Sequence, residues 1–267
     1  MSRFALGVEY SGADFAGWQR KAGVRTVQQA VEEALSRVAD EPVRVVAAGR
    51  TDTGVHALGQ VIHFDCAKSR SADAFRRGGN AHLPADVSLV WARPVSDAFH
   101  ARFSATARTY RYVILNRPTR PAAWARRVTF AYRPLDVSRM QAASAALIGQ
   151  HDFSAYRAVG CQARSPVREV RILDIVRHDA FVILTIQANA FLQHMVRNIA
   201  GVLMAIGAGE RPVGWAGDVL AGRDRNLGGV TASPDGLYFV SASYPESFGI
   251  PCLAVSEWSY GGIPLRG

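Results

Sequence analysis

The chain has 267 residues, 49% of them hydrophobic, and a formal net charge of +9. It contains no apolar run as long as a membrane span, and its first twelve residues lack the pattern of a signal peptide, so we expect a cytoplasmic protein. The cysteines at 66, 161 and 252 lie far apart, which argues against a disulfide framework or a zinc site and favours reduced thiols.

The first part of the chain predicts strands around two helices. RFALGVEY (3–10) alternates apolar and polar residues, which is typical of a strand. TVQQAVEEALSRVADEP (26–42) predicts an amphipathic helix, with Thr26 and Gln29 in the spacing of a capping box. A short helix is expected within 71–79, and further strands are expected near 43–48, 60–65 and 87–93.

The second part repeats this order of a strand, a helix and further strands. The expected elements are a strand at 108–116, a helix at 136–149, strands at 169–177 and 181–188, helices at 191–207 and near 213–221, and a strand at 237–243. Because this order of elements occurs twice, the sequence predicts an α+β fold with two side-by-side domains at 1–105 and 106–246. The tail at 247–267 has no periodicity and allows no prediction.

The positive charge is concentrated in one segment. Residues 98–135 contain eight arginines and no acidic residue, and aromatic residues are interspersed among them. Guanidinium groups suit phosphate oxygens, and aromatic rings suit unstacked bases, so this segment favours binding to nucleic acid. A general preference of the protein for arginine over lysine would explain the arginines, but it would not explain the missing acids.

The segment AGRTDTGVHALGQ (48–60) separates two apolar runs and predicts a loop between two strands. Loops on a rigid scaffold often carry chemistry. Its Asp-Thr-Gly triplet resembles the aspartic-peptidase signature, but the chain has no second such triplet to share a proton. The seven histidines form no metal-binding motif, and the glycines match no nucleotide-binding loop.

A single carboxylate, Asp52, therefore remains as the candidate reactive group. Arg50 lies two residues away and would favour its ionised form. An ionised carboxylate can attack a sugar carbon or stabilise a cation there, and beside an RNA-binding surface that sugar would be a ribose. The alternative is a structural one, in which Asp52 merely closes a turn through its side chain.

The same segment resembles the active-site signature of the TruA-type tRNA pseudouridine synthases. The resemblance extends through LGVEYSGADFAGWQR, NAHLPADVSLV, FHARFSATARTYRYVILN, NAFLQHMVRNIAGVLMAIG and PDGLYFVSASYP, in the order of the family. Two positions depart from the usual pattern, since Ser11 replaces an aspartate and Thr53 replaces the commoner alanine. The tail lies outside the resemblance.

The resemblance implies a fold and an activity. The expected fold has two ferredoxin-like α+β domains with mostly antiparallel sheets and a basic active-site cleft between them. The expected activity is the isomerisation of uridine to pseudouridine at positions 38–40 of the tRNA anticodon stem-loop, with the target base flipped out. The family uses no cofactor and no metal, and a homodimer is expected, with tRNA as the partner.

The resemblance also assigns roles to individual residues. Asp52 is the expected catalytic carboxylate, Tyr110 is expected to stack on the flipped base, and Arg197 to pair with the aspartate. Arg50 is either a second partner or a phosphate contact, and the basic segment suggests Arg102, Arg108 and Arg111 as contacts to the RNA backbone. A catalytically inactive RNA-binding protein of the same fold is the alternative function.

Overall fold

The computed structural model describes residues 1–251, together with the backbone of two short strands at Ser259–Tyr260 and Ile263–Pro264. The described residues form two compact units, one of residues 1–106 with 238–251 and one built on residues 107–237. Most of the tail beyond 247 lies outside the described residues. Within the part of the chain that is described, no helix is both long and apolar enough to span a membrane.

The helices are α1 (Val27–Ala39), α2 (Ala72–His82), α3 (Val137–Ser144), α4 (Met195–Gly207) and α5 (Trp215–Gly222). The strands are β1 (Ser2–Tyr10), β2 (Val46–Ala47), β3 (His56–Cys66), β4 (Val87–Val95), β5 (Ala107–Asn116), β6 (Thr129–Ala131), β7 (Gly149–Asp152), β8 (Val167–His178), β9 (Phe181–Ala188), β10 (Leu237–Ser243), and the two short strands β11 (Ser259–Tyr260) and β12 (Ile263–Pro264).

In the first unit, strands from both ends of the sequence share one sheet. The order is β4-β1-β3-β10, and β2 also pairs with β3. β1 runs antiparallel to both β3 and β4, whereas β10 is parallel to β3, with Tyr238 opposite His56. Helix α1 packs on α2, and Phe75 of α2 lies 4.9 Å from Phe4 and 5.0 Å from Phe64 between ring centroids. These rings form the apolar contact between helix and sheet.

In the second unit, β5, β9, β8 and β7 follow one another in antiparallel pairs, and β6 runs parallel to β5. Helices α3, α4 and α5 pack on one another, with α3 also against β8 and α4 against β5. The mixed helix-and-strand class with mostly antiparallel pairing is confirmed. The domain boundaries stay a prediction, and β10 groups with the first unit although it follows the second in sequence.

Several local predictions are confirmed and others are wrong. β10 matches its predicted range, and α1 lies where the apolar stripe placed it. The capping box is wrong, because the Thr26 side chain makes no capping bond and Gln29 instead donates to Glu33 Oε1 at 2.9 Å. α4 begins four residues later than predicted, because His194 has a left-handed backbone conformation with φ 61°.

One buried histidine gives the first unit a pH-dependent stability. His63 is 5% exposed, and its Nδ1 accepts a hydrogen bond from the backbone N–H of Ala101 at 3.1 Å. Burial, with the nearby charges of His100 and Arg3, lowers the pKa of His63 to about 4. Below pH 6.5 the unfolded chain therefore binds a proton that the folded chain excludes, so stability falls as the pH drops toward 4.

We expect the free energy of unfolding to fall by about 2 kcal/mol between pH 7 and pH 5 through this residue. His63→Gln keeps a side-chain acceptor for the Ala101 N–H and removes the titrating ring. Urea unfolding at the two pH values should show a smaller loss in the variant than in the wild type. Equal losses in both proteins would contradict a role for His63.

Candidate active site

Asp52 lies in the connection between β2 and β3, as the sequence predicted for this segment. The residue is half-buried, whereas Thr53 beside it is exposed. Its carbonyl oxygen accepts a hydrogen bond from the Val55 N–H at 3.2 Å, and Gly54 between them has φ 80°. The chain thus makes a tight turn directly after Asp52, with glycine at the left-handed position that the turn requires.

The start of this loop is held by an amide from the strand that follows it. Gln60 in β3 is fully buried, and its Nε2 donates to the carbonyl oxygen of Gly49 at 2.7 Å. Its Oε1 accepts from the N–H of the same residue at 3.4 Å. One side chain therefore satisfies both backbone groups of Gly49, three residues before Asp52.

A second loop, residues 11–18, packs backbone to backbone against the Asp52 loop. Trp18 N–H donates to Thr51 O at 3.0 Å, and Gly54 N–H donates to Phe15 O at 3.3 Å. Gly12 N–H donates to His56 Nδ1 at 3.1 Å. The two loops therefore form one hydrogen-bonded assembly, with contacts on both sides of Asp52.

Glycine is required in the second loop because the two backbones approach closely. A Cβ on Gly12 would lie 1.9 Å from Val55 O. Gly17 has φ 92°, and a Cβ there would lie 2.8 Å from Thr51 O and 3.1 Å from the carbonyl carbon of Asp52. Ser11, which departs from the family pattern, is bound through its backbone, since its N–H donates to Asp86 O at 3.0 Å.

His56 closes the loop at the start of β3. The ring is buried and stacks on Tyr238 of β10, with centroids 4.7 Å apart and an interplanar angle of 20°. Because Nδ1 accepts from Gly12, the neutral ring carries its proton on Nε2. Sequence spacing does not indicate this role of His56, because its stacking partner Tyr238 lies 182 residues farther along the chain.

Arg50 is exposed and lies on the same loop as Asp52, two residues before it. Tyr110 lies on β5, in the second unit, and is 8% exposed. Its ring meets that of Phe191 edge to face, with centroids 5.0 Å apart. This contact fixes the ring of Tyr110 in a nearly buried position.

Arg197 lies in the first turn of α4, a helix otherwise rich in buried apolar residues. It is half-buried, and its Nε donates to the carbonyl oxygen of Ala232 at 2.8 Å. The backbone N–H of Ala232 donates back to Arg197 O at 3.2 Å. The first bond anchors the guanidinium group through Nε, and the second joins the two backbones. The expected pairing of Arg197 with Asp52 stays a prediction.

In the first unit, the basic segment presents an arginine beside an exposed aromatic ring. Phe103 is 76% exposed, and the guanidinium carbon of Arg102 lies 5.4 Å from its ring centroid. The ring stacks on His100 at 4.3 Å, and His100 Nδ1 accepts from the N–H groups of Arg102 and Phe103. An arginine and an exposed ring held in this way suit a phosphate and an unpaired base.

In the second unit, the part of the segment within β5 is largely buried, whereas Arg120, Arg126, Arg127 and Arg133 farther along the chain are exposed. Arg111 is only 3% exposed, its Nε donates to Thr185 Oγ1 at 3.3 Å, and burial lowers the pKa of its guanidinium group. Arg111 is therefore not exposed, and its expected contact with the RNA backbone stays a prediction. Arg108 is half-buried and donates through Nη1 to Asn189 O at 2.9 Å. The aromatic residues Tyr110 and Tyr112 are also buried.

Comparison with known proteins identifies the family. A family model described as tRNA pseudouridine synthase matches residues 7–104 and 143–245. The tRNA pseudouridine synthase A of Nitrosococcus oceani is 57% identical over 258 residues, covering 96% of this chain and 100% of the relative. That of Pseudomonas aeruginosa is 55% identical over 265 residues, covering 99% and 93%.

A remote structural likeness links the chain to the archaeal box H/ACA sRNP Nop10–Cbf5 complex, with a TM-score of 0.36 and 10% identity over 75% of this chain and 44% of that one. The family model and the curated relatives, by contrast, extend over most of the sequence and include the loop that carries Asp52. The chain belongs to the tRNA pseudouridine synthase A family and is an isomerase enzyme.

Proposed function

We propose that this enzyme converts uridine to pseudouridine at positions 38–40 of the tRNA anticodon stem-loop, with Asp52 as the catalytic carboxylate. The observation that carries the proposal is the fixed backbone on both sides of Asp52. Thr51 O accepts from Trp18 N–H at 3.0 Å, and Gly54 N–H donates to Phe15 O at 3.3 Å, while the side chain of Asp52 stays half-exposed. A carboxylate held in this way is preorganised for attack on a bound sugar.

The proposed reaction needs no external oxidant or reductant. The carboxylate of Asp52 either attacks C1′ of the flipped nucleotide or stabilises the cation that forms there. The C1′–N1 bond breaks, the uracil keeps the electron pair and turns, and C5 forms a new bond to C1′. The proton on C5 is lost, N1 gains a proton, and the carboxylate is released.

The family resemblance supports roles for three further residues. Tyr110 is proposed to stack on the flipped uracil and to accept the C5 proton. Arg197 is proposed to act on the Asp52 carboxylate as its cationic partner, and its guanidinium group is anchored through Nε at Ala232. Arg50, exposed on the catalytic loop, is proposed as a second cation for the aspartate or a phosphate.

The same resemblance supports the arrangement of the whole enzyme. We propose two ferredoxin-like domains with a basic active-site cleft between them, and a homodimer in which one tRNA touches both subunits. Retention of Asp52, Tyr110 and Arg197 together supports the enzyme over the catalytically inactive RNA-binding protein that the sequence left as an alternative.

The test is tritium release from tRNA transcripts that contain 5-³H-uridine. Transcripts with a single labelled uridine at 38, 39 or 40 should release tritium, because C5 loses its hydrogen when it bonds to C1′. A transcript labelled only in the acceptor stem should release none, and the reaction should proceed without added cofactor. Release from the acceptor stem alone would contradict the proposed site, and so would a lack of release from all three anticodon-arm transcripts.

We propose Arg102 and Phe103 as part of the tRNA surface, and Arg102→Ala should weaken tRNA binding. Loss of one phosphate contact should make the slope of log K against log salt shallower by roughly 0.7–0.9. The matched control is Arg77→Ala on α2, where an arginine 76% exposed pairs with Asp73. Filter binding across a salt series should show the change in the first variant only, and identical slopes in both would exclude Arg102 from the surface.

A further inference from the structure

The residue that precedes Asp52 is tied to the end of β1 by a buried pair of hydroxyl groups. Tyr10 Oη and Thr51 Oγ1 lie 2.7 Å apart, and the two residues are 3% and 7% exposed. Burial raises the pKa of Tyr10 to about 12, so the phenol keeps its proton at neutral pH. The bond is therefore shielded from water and persists in the working enzyme.

Thr51 is held through its backbone as well as its side chain. Its carbonyl oxygen accepts the Trp18 N–H at 3.0 Å, from the loop whose Gly17 lies against the Asp52 backbone. Upstream, Gln60 fixes Gly49 through both of its backbone groups. Thr51 is thus the point at which the strand β1 and the second loop both bind the catalytic loop, one peptide bond from Asp52.

We propose that Tyr10 and Thr51 are positioning residues, whose hydroxyl pair sets the orientation of the Asp52 carboxylate toward the ribose. This inference rests on the proposed role of Asp52. Both side chains are buried, so they act through the backbone of the loop. A reacting group displaced by even 1 Å can lose about 100-fold in rate, which makes a single anchoring bond next to the nucleophile consequential.

The alternative is a hydrogen bond that only stabilises the fold. In that case, loss of a hydroxyl lowers the unfolding temperature but leaves the rate of the folded enzyme unchanged. A positioning role instead lowers the rate of the folded enzyme with bound substrate. The two roles therefore predict different values of kcat when it is measured well below the unfolding temperature with saturating tRNA.

The experiment compares Thr51→Val, which replaces the hydroxyl by a methyl group of similar size, with Thr51→Ser, which keeps it. We expect kcat for tritium release to fall about 10- to 100-fold in Thr51→Val, with the Kd for tRNA within about twofold of wild type. Thr51→Ser should recover most of the rate. Tyr10→Phe should be at least as slow as Thr51→Val, because it removes the same bond and also the hydrogen bond of the phenol with the Gln60 side chain. The double variant should be no slower than Tyr10→Phe.

Wild-type kcat in folded Thr51→Val and Tyr10→Phe would overturn the proposal, as would a Thr51→Ser variant as slow as Thr51→Val, or a loss confined to tRNA affinity. If Thr51→Val fails to fold, the kcat of Tyr10→Phe tests the proposal instead, because this substitution removes only one oxygen atom from a buried ring. Asp52→Asn is assayed in parallel. Activity in Asp52→Asn refutes the proposed function itself, whereas an inactive Asp52→Asn beside a fully active Thr51→Val refutes only the positioning role.

Discussion

Replacement of Asp52 by asparagine is expected to lower turnover by about 10⁴-fold or more while tRNA remains bound. The amide keeps the size of the side chain, but it can neither attack C1′ nor balance a cation there. Folding should persist, because Asp52 is half-buried in a loop whose anchors are backbone groups and the side chains of neighbours. Removing a negative charge near an RNA backbone weakens electrostatic repulsion, so we expect an equal or lower Kd for tRNA.

The matched control for this substitution is Asp14→Asn, which removes the charge of an exposed aspartate on the adjoining loop. Tritium release and filter binding are measured on the same preparation of each variant. The control should keep its turnover. Near-normal turnover in Asp52→Asn would show that the carboxylate is not catalytic, and loss of turnover together with loss of the folded state would favour the turn-closing role of Asp52.

The second large effect is expected for Gly17→Ala. A methyl group at this position would lie 2.8 Å from Thr51 O and 3.1 Å from the carbonyl carbon of Asp52, and φ is 92°. The Asp52 loop must shift to admit it, so we expect kcat to fall about 100-fold. Strain at the backbone adds a loss of stability of about 1–3 kcal/mol.

The control substitution, Gly23→Ala, distinguishes the effect of backbone strain from that of displacing the Asp52 loop. Gly23 has a similar φ of 77°, but nothing lies within 4 Å of a Cβ placed there. Gly23→Ala should therefore lose stability of about 1–2 kcal/mol and keep its kcat. Thermal unfolding and single-turnover rates on both variants make the comparison. A similar loss of kcat in the two variants would mean that strain alone explains the effect, and that the contact with the Asp52 loop does not matter.

The sequence predicted the elements whose signal is local. The apolar stripe of α1 and the alternation in β10 each depend on residues within one element, and both were placed correctly. α4 was predicted too long, because the left-handed conformation of His194 is set by the chain around it and leaves no trace in apolar spacing. The capping box was wrong for a similar reason, since Gln29 has a better partner in Glu33.

In the candidate site as well, the feature with a local sequence pattern was found, whereas the contacts between distant residues were not. Asp52 stood out because a carboxylate and three glycines interrupt two apolar runs, and the family motif surrounds it. Its supports could not be found in this way, because Tyr10 lies 41 residues before Thr51 and sequence spacing carries no signal for that contact. The burial of Arg111 could not be predicted either, since the sequence of β5 does not show that both faces of the strand are covered.

The parallel pairing of β10 with β3 has a consequence for the synthesis of the protein. His56, which ends the Asp52 loop, stacks on Tyr238, and that partner is synthesised 182 residues later. While the ribosome is still translating the second unit, the loop with Asp52 has already emerged but lacks this support. Nascent chains fold from the N-terminus as they appear. It follows that the first unit acquires its last strand only near the end of translation, so a chain released early would carry the Asp52 loop in an unfinished sheet.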